Sequence, residues 1–232
     1  MSQEKYDFIS GEILIIDKPL EWTSFDVVNK LRSAIKRKLA IKKIKVGHAG
    51  TLDPLATGVL VICTGKKTKE IEGFIHEKKS YDGVIQLGST TPSFDLESSI
   101  DYVYEMKAFS AKQIDDLAQS FLGDQMQEPP LFSAKKINGK RAYELARKGS
   151  TLKLAPKPIT IYDIFLELLP ENKLAFKISC SKGTYIRSIA RDIGKKLGVG
   201  GHLIKLRRLS SGTFKLSQSI SVEECLKIID SQ

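Results

Sequence analysis

Lys45 to Thr64 reads KVGHAGTLDPLATGVLVICT, and the rest of the fold can be built outward from it. Lys45 to Gly58 packs three glycines, His48 and Asp53 into a short span, and Gly58 to Thr64 is a continuous apolar run of strand length. A shaped loop therefore feeds a buried strand. Asp53 before Pro54 suits an N-cap followed by proline at the first helical position, with Gly58 ending that single turn. The same residues also suit a ligand site, because glycines let a ligand approach the backbone closely and a carboxylate placed after a run of bases stays ionised and can act as nucleophile or base. A phosphate-loop reading of Gly58 to Thr68 fails, since Lys67 stands where Ser or Thr should follow Lys66.

Upstream, Glu12 to Asp17 (EILIID) predicts a short buried strand ending at Lys18 and Pro19. A helix capped by Thr23 or Ser24 follows, with Val27, Val28, Leu31 and Ile35 at helical spacing. Downstream, Ser80 to Gly88 predicts another strand, and Ser110 with Gln113 forms a capping box for a helix along Ile114, Leu117, Ala118, Phe121 and Leu122. From Lys173 to Ser181 the residues alternate, with Leu174, Phe176, Ile178 and Cys180 on one face. Thr184 is expected to cap a helix stopped by Gly198, and Ser221 with Glu224 to open a last one at Val222. Strands and helices mix without strict βαβ alternation, so the fold class is α+β. Residues 127–158 hold four of the eight prolines and many lysines, which predicts a long basic excursion.

The 232 residues carry 37 Lys and Arg against 27 Asp and Glu, a net charge of +10, and 41% are hydrophobic. Such a chain can bury a core and is not compositionally disordered. No apolar run approaches bilayer length and no signal-like leader opens the chain, so the expectation is a cytoplasmic protein with no membrane association. Cys63, Cys180 and Cys225 are widely spaced without a CxxC, and neither a disulfide framework nor a metal site is expected. The charge is segregated. Three segments, Val27 to Leu52, Lys135 to Lys157 and Lys182 to Lys215, hold 25 of the 37 bases with two acids among them, whereas Ser93 to Glu128 holds eight acids and two lysines. That segregation fits a polyanion partner such as a nucleic acid, or else three separate solvated faces.

Taken singly, His48, Tyr81 and Arg187 read as a loop histidine, a core tyrosine and a solvent-facing arginine. Together with Asp53 they fall in an ordered set of motifs: GEILIIDKPLEWTSFDVV (Gly11 to Val28), GHAGTLDPLATGVLVICTGKKTK (Gly47 to Lys69), KSYDGVIQLGSTT (Lys79 to Thr91), QEPPLFSAKKINGKRAYELARKG (Gln127 to Gly149), CSKGTYIRSIARDIG (Cys180 to Gly194) and HLIKLRRLSSGTF (His202 to Phe214). In this order they resemble the TruB family, the tRNA pseudouridine 55 synthases, over nearly the whole chain. The resemblance implies the pseudouridine synthase fold: a mixed, mainly antiparallel central sheet flanked by helices, with an RNA-binding cleft and a basic thumb loop. It implies Asp53 as the catalytic nucleophile and Tyr81 as the ring stacked on the uracil. Arg187 is implied as the aspartate's counter-ion, Tyr185 as a pocket wall, Leu206 as the apolar residue closing the pocket, and His48 as the side chain entering the T-loop. Lys18 and Pro19 match an early motif of structural character near the site.

The resemblance further implies no cofactor, no metal and no obligate protein partner, and a tRNA substrate held by its T-arm and T-loop. A single catalytic domain over 1–232 is expected, with the thumb at about 127–158 and no separate C-terminal PUA domain, since only 18 residues follow Phe214. One departure is Thr91 to Glu97, TPSFDLE, where the family has TDTxDAEG. Two other readings stand beside this one. A non-catalytic RNA-binding module would use the same basic surface but has no need of Asp53, Tyr81 and Arg187 together, and a synthase acting on ribosomal or guide-directed RNA is the other.

Overall fold

The computed structural model describes residues 6–132, 136–137, 140–141 and 154–232. In chain order the first elements are β1 (Ile13–Lys18), α1 (Ser24–Lys38), β2 (Val46–His48), β3 (Ala56–Thr64), a 3₁₀ turn (Gly65–Glu70), α2 (Ile71–Ile75) and β4 (Lys79–Leu87). There follow β5 (Ser89–Thr90), β6 (Tyr102–Val103), α3 (Ala111–Gln119), β7 (Gly123–Gln127), β8 (Lys136–Ile137), β9 (Lys140–Arg141) and β10 (Lys157–Leu169). The chain closes with β11 (Lys173–Cys180), α4 (Ile186–Leu197), β12 (Gly201–Ser211), β13 (Phe214–Lys215) and α5 (Val222–Ser231). The class is α+β, with a mixed, mainly antiparallel sheet. The chain forms two compact units, one of residues up to Tyr81 together with Leu206–Gln232, the other of Asp82–Lys205.

In the first unit β3 is the organising strand. It pairs antiparallel with β1 (Ile15 opposite Val61), antiparallel with β2 (Val46 opposite Thr64), and parallel with β12 (Leu206 opposite Ala56). Leu60 and Ile62 pack with Leu14 and Ile16 of β1, with Val27, Leu31 and Ile35 of α1, and with Val222, Cys225 and Ile229 of α5. Val59 and Val61 face the other way, against Ala49, Ile13, Ile15, Phe74 and Phe214. A strand covered on both faces reads as an unbroken apolar run, which explains GVLVIC; each such side chain contributes about 1.5–3 kcal/mol by leaving water. Burial pushes the Cys63 thiol up to about 11 and Cys225 up to about 12, so both behave as small apolar groups. The helix expected after Pro19 is capped by Thr23, which exchanges hydrogen bonds with Asp26, and Ser221 with Glu224 caps α5 as expected.

The second unit orders its strands β4, β11, β10, β7. β10 is antiparallel to β11 (Leu166 opposite Phe176) and to β7 (Ile159 opposite Gln125). Leu174, Phe176, Ile178 and Cys180 are buried, as the alternation predicts. The capping box of Ser110 and Gln113 opens α3, whose Ile114, Leu117 and Ala118 are buried. Leu122 is exposed, because the helix ends at Gln119 and the helical period no longer applies to it. Gly198 ends α4 in the left-handed conformation (φ 75°). Thr184 does not cap that helix: its hydroxyl donates to the Ser181 carbonyl, and Tyr185 occupies the N-cap. Of the basic excursion expected over 127–158, residues 133–135, 138–139 and 142–153 lie outside the described residues.

Candidate active site

Asp53 sits half-buried in the connection between β2 and β3. The turn after it is closed by the Ala56 N–H donating to the Asp53 carbonyl at 3.0 Å, and the chain enters β3 at Ala56. The helical turn expected there is thus a β-turn, because the pairing of Ala56 with Leu206 on β12 draws the backbone directly into the sheet. Gly58 lies inside the strand rather than ending a helix. Its φ is +101°, and a Cβ built on it would fall 2.3 Å from the Arg208 carbonyl oxygen, so only glycine admits this approach of the two strands.

The peptides on both sides of Asp53 are held by buried side chains. Ser24 Oγ, at the first residue of α1, accepts from the Leu52 N–H at 2.8 Å and donates to the Leu52 carbonyl at 3.1 Å. Lys18, 0% exposed, donates from Nζ to the Pro54 carbonyl at 3.2 Å, to Pro19 at 2.8 Å and to Trp22. Burial pulls the Lys18 ammonium down to about 8, against the attraction of Asp53, Asp26 and Asp17. Arg208, also buried, donates to the carbonyls of Val59 (2.6 Å), Gly50 (3.0 Å) and Thr51 (3.5 Å). Three side chains from β1, α1 and β12 thereby fix the loop backbone that carries Asp53, and they do so by satisfying carbonyls that would otherwise be buried without partners.

The other expected site residues of this unit are placed as follows. Leu206, buried, stands opposite Ala56 in the β12–β3 ladder, three residues from Asp53 along β3's side. Tyr81 is buried at the third position of β4. The start of that strand is tied to β12 and the residue after it, by Ser80 Oγ to Ser210 Oγ at 2.6 Å and by the Gly212 N–H to the Lys78 carbonyl at 2.8 Å. His48 ends β2, opposite Ile62. Burial, and secondarily the Arg208 charge, depresses its pKa below the ordinary 6.5 and favours the neutral ring. Pro19 follows Lys18 at the end of β1 and supplies one of the carbonyls that the ammonium binds.

In the second unit Arg187 is the second residue of α4 and is 4% exposed. Its Nε lies 3.5 Å from an Asp95 carboxylate oxygen, and a terminal nitrogen donates to the Ser93 carbonyl at 3.2 Å. The departing segment TPSFDLE is an ordered loop: Thr91 Oγ1 donates to the Asp95 carbonyl at 2.7 Å, Ser93 and Ser98 hydroxyls lie 2.6 Å apart, and Asp95 Oδ1 accepts from the Glu97 N–H at 3.0 Å. The Arg191 guanidinium covers the Phe94 ring at 5.0 Å. Tyr185 is pinned at the start of α4 by the buried Gln127 side chain, which accepts from its N–H at 2.8 Å and donates to its carbonyl at 3.1 Å. Among the described residues no group of three or more His, Cys, Asp and Glu could hold a metal ion, and no helix is long and apolar enough to cross a membrane.

The sequence assigns no site role to Asp95 or Arg208, and it offers Ser24 only as a helix cap. Arg208 could have been found from its place two residues after Leu206 on a strand, on the same side by the period of two. Asp95 could have been found as one of the two acids retained in TPSFDLE.

Comparison with known proteins places this geometry. Residues 36–186 match the N-terminal domain of the TruB family of pseudouridylate synthases, and residues 187–231 match the tRNA pseudouridylate synthase B C-terminal domain. The protein named tRNA pseudouridine synthase B from Parabacteroides distasonis is 52% identical over 218 residues, covering 94% of this chain and 93% of that protein. Its namesake from Phocaeicola vulgatus is 53% identical over 228 residues, covering 97% and 96%. A solved Cbf5-Nop10-Gar1 complex contains a chain with a TM-score of 0.70 and 28% identity, covering 95% of this chain and 54% of that one. With a family domain matching most of its length and relatives above 50% identity, the chain belongs to the TruB family of pseudouridylate synthases.

Proposed function

We propose that this protein converts uridine 55 in the T-loop of tRNA to pseudouridine, with Asp53 as nucleophile and the target nucleotide flipped out of its stack. The names of the relatives support tRNA as the substrate. The observation that carries the catalytic assignment is the clamped loop: Lys18, Ser24 and Arg208 fix the backbone on both sides of a half-buried carboxylate. Such rigidity around one side chain is what a reaction demanding a near-attack geometry requires.

The reaction breaks the N1–C1′ bond, joins C5 to C1′, releases the C5 proton and leaves a proton on N1. Atoms and electrons balance without a redox partner. A uridine in a folded loop must be extruded, and an aromatic and an aliphatic wall replace the lost stacking; Tyr81 and Leu206 are assigned to those roles. Arg187, whose guanidinium is fixed by Asp95 and Ser93, is assigned to placing the extruded nucleotide, with Tyr185 as a further wall. His48, favouring the neutral form, suits insertion among unstacked bases, where a charged ring would be costly to desolvate. One catalytic domain carries all these roles.

The test is chemical mapping of pseudouridine in an unmodified tRNA transcript after incubation with the protein. Conversion at position 55 alone is expected. No conversion in tRNA, or conversion only in ribosomal RNA, would overturn the reading.

A further inference from the structure

Most of the first basic run of the sequence, Arg32 to Lys45, lies away from Asp53. β3 starts three residues after Asp53 and runs from Ala56 to Thr64, so its far end lies roughly 26 Å away at about 3.3 Å per residue. Lys45 is at that far end, where its carbonyl accepts from the Gly65 N–H at 2.9 Å. A second yardstick agrees. α1 begins at Ser24, which binds Leu52 beside Asp53, and Lys36 is twelve residues further along the helix, roughly 18 Å at about 1.5 Å per residue.

Two adjoining recesses open at this far end. One, of about 480 Å³, is lined by Arg32, Lys36, Lys42, Lys43 and Lys45 around Ile44. The other, of about 350 Å³, shares Lys43 and Lys45 and adds Lys66 and Lys69. Seven cations thus line one continuous surface drawn from α1, the connection to β2 and the 3₁₀ turn. Carboxylates approach its rim, Asp7 acting on Lys66 and Glu70 pairing with Lys67 at 3.0 Å, but among the described residues none lines either recess. The Arg32 guanidinium is committed to Asn29 and to the Val46 carbonyl, which fixes one wall. Like charges gathered without internal counter-ions repel one another in the folded state, and a chain of phosphates would relieve that repulsion across both recesses at once.

We infer that this surface is a second RNA-backbone site, which holds stem phosphates of the substrate RNA at a distance from the nucleotide presented to Asp53. The inference rests on the reading of the protein as an enzyme acting on a folded RNA. Two pair variants from opposite walls, Lys42→Gln with Lys43→Gln and Lys66→Gln with Lys69→Gln, are to be compared with wild type on two RNAs. The first RNA is a full-length unmodified tRNA transcript and the second a short T-arm stem-loop. For the transcript, each pair is expected to weaken Kd about three- to tenfold and to reduce the slope of log Kd against log salt by about 1 to 2. The loss should fall on KM rather than kcat, and the stem-loop should bind both variants as it binds wild type. An unchanged salt slope on the transcript would overturn the inference, as would an equal loss on both RNAs, which would return the cations to the loop-binding site. A wild-type protein inactive on any tRNA would instead defeat the proposed function, so the two failures are separable.

Discussion

Replacing Lys18 with methionine keeps most of the volume of the buried side chain, one atom shorter, while removing its three hydrogen bonds to carbonyls. The ammonium donates to the carbonyls of Pro19, Trp22 and Pro54, and each charge-assisted bond contributes about 1.5–3 kcal/mol. Against this stands the cost of burying the charge. A lysine held at about 8 instead of 10.5 carries a penalty of roughly 3 kcal/mol, which the substitution recovers. The net destabilisation is therefore about 2–6 kcal/mol, or a fall in Tm of about 5–15 °C for a chain of this size. Turnover should fall by about 10- to 100-fold, because the Pro54 carbonyl loses its anchor one residue from Asp53.

The sign of the pH effect supplies a second readout. Between about 8 and 10.5 the unfolded chain holds the Lys18 proton more tightly than the folded chain does, so this group's contribution to stability rises with pH across that window. The variant lacks this contribution. The stability gap between wild type and Lys18→Met is thus expected to widen as pH is raised from about 8, as read by chemical denaturation at each pH. Equal melting temperatures together with wild-type turnover would refute the clamp, and a gap constant across the window would refute the depressed lysine.

Gly58→Ala places a Cβ 2.3 Å from the Arg208 carbonyl at a φ of +101° and should cost about 2–5 kcal/mol, combining left-handed strain with forced separation of β3 from β12; a denaturation midpoint near wild type would contradict it. Asp95→Asn removes the carboxylate charge that stands 3.5 Å from the buried Arg187 guanidinium, and a loss of about 1–3 kcal/mol in unfolding free energy is expected by chemical denaturation. Gln127→Ala removes both bonds that pin Tyr185 and should cost about 1–3 kcal/mol through the exposed start of α4, measurable as faster amide exchange confined to its first turn.

What was legible in the sequence is what local pattern encodes. β3 shows as an apolar run because it is covered on both faces, β11 shows by alternation, two helices show by capping boxes, and α1 shows by its apolar spacing after Thr23. The turn at Asp53 was misread because Asp-Pro opens helices and β-turns alike, and the choice between them is made by β12, some 150 residues away in sequence. The cap of α4 was misplaced for a similar reason: Gln127 holds the backbone of Tyr185 from 58 residues away, which frees Thr184 for another bond. Lys18 and Arg208 bind backbone carbonyls, and carbonyls leave no trace in a sequence. In sequence Lys45 stands only eight residues before Asp53, yet the antiparallel pairing of β2 with β3 carries it to the opposite end of the strand.

The central claim is that Asp53 performs the chemistry, and Asp53→Asn tests it most directly because the substitution keeps the shape of the side chain and removes its nucleophilic charge. With tRNA labelled with tritium at C5 of its uridines, wild type should release label stoichiometrically with the T-loop uridine. The variant should bind the same tRNA within about threefold and release label about a thousandfold or more slowly. Release at the wild-type rate by Asp53→Asn would contradict the account.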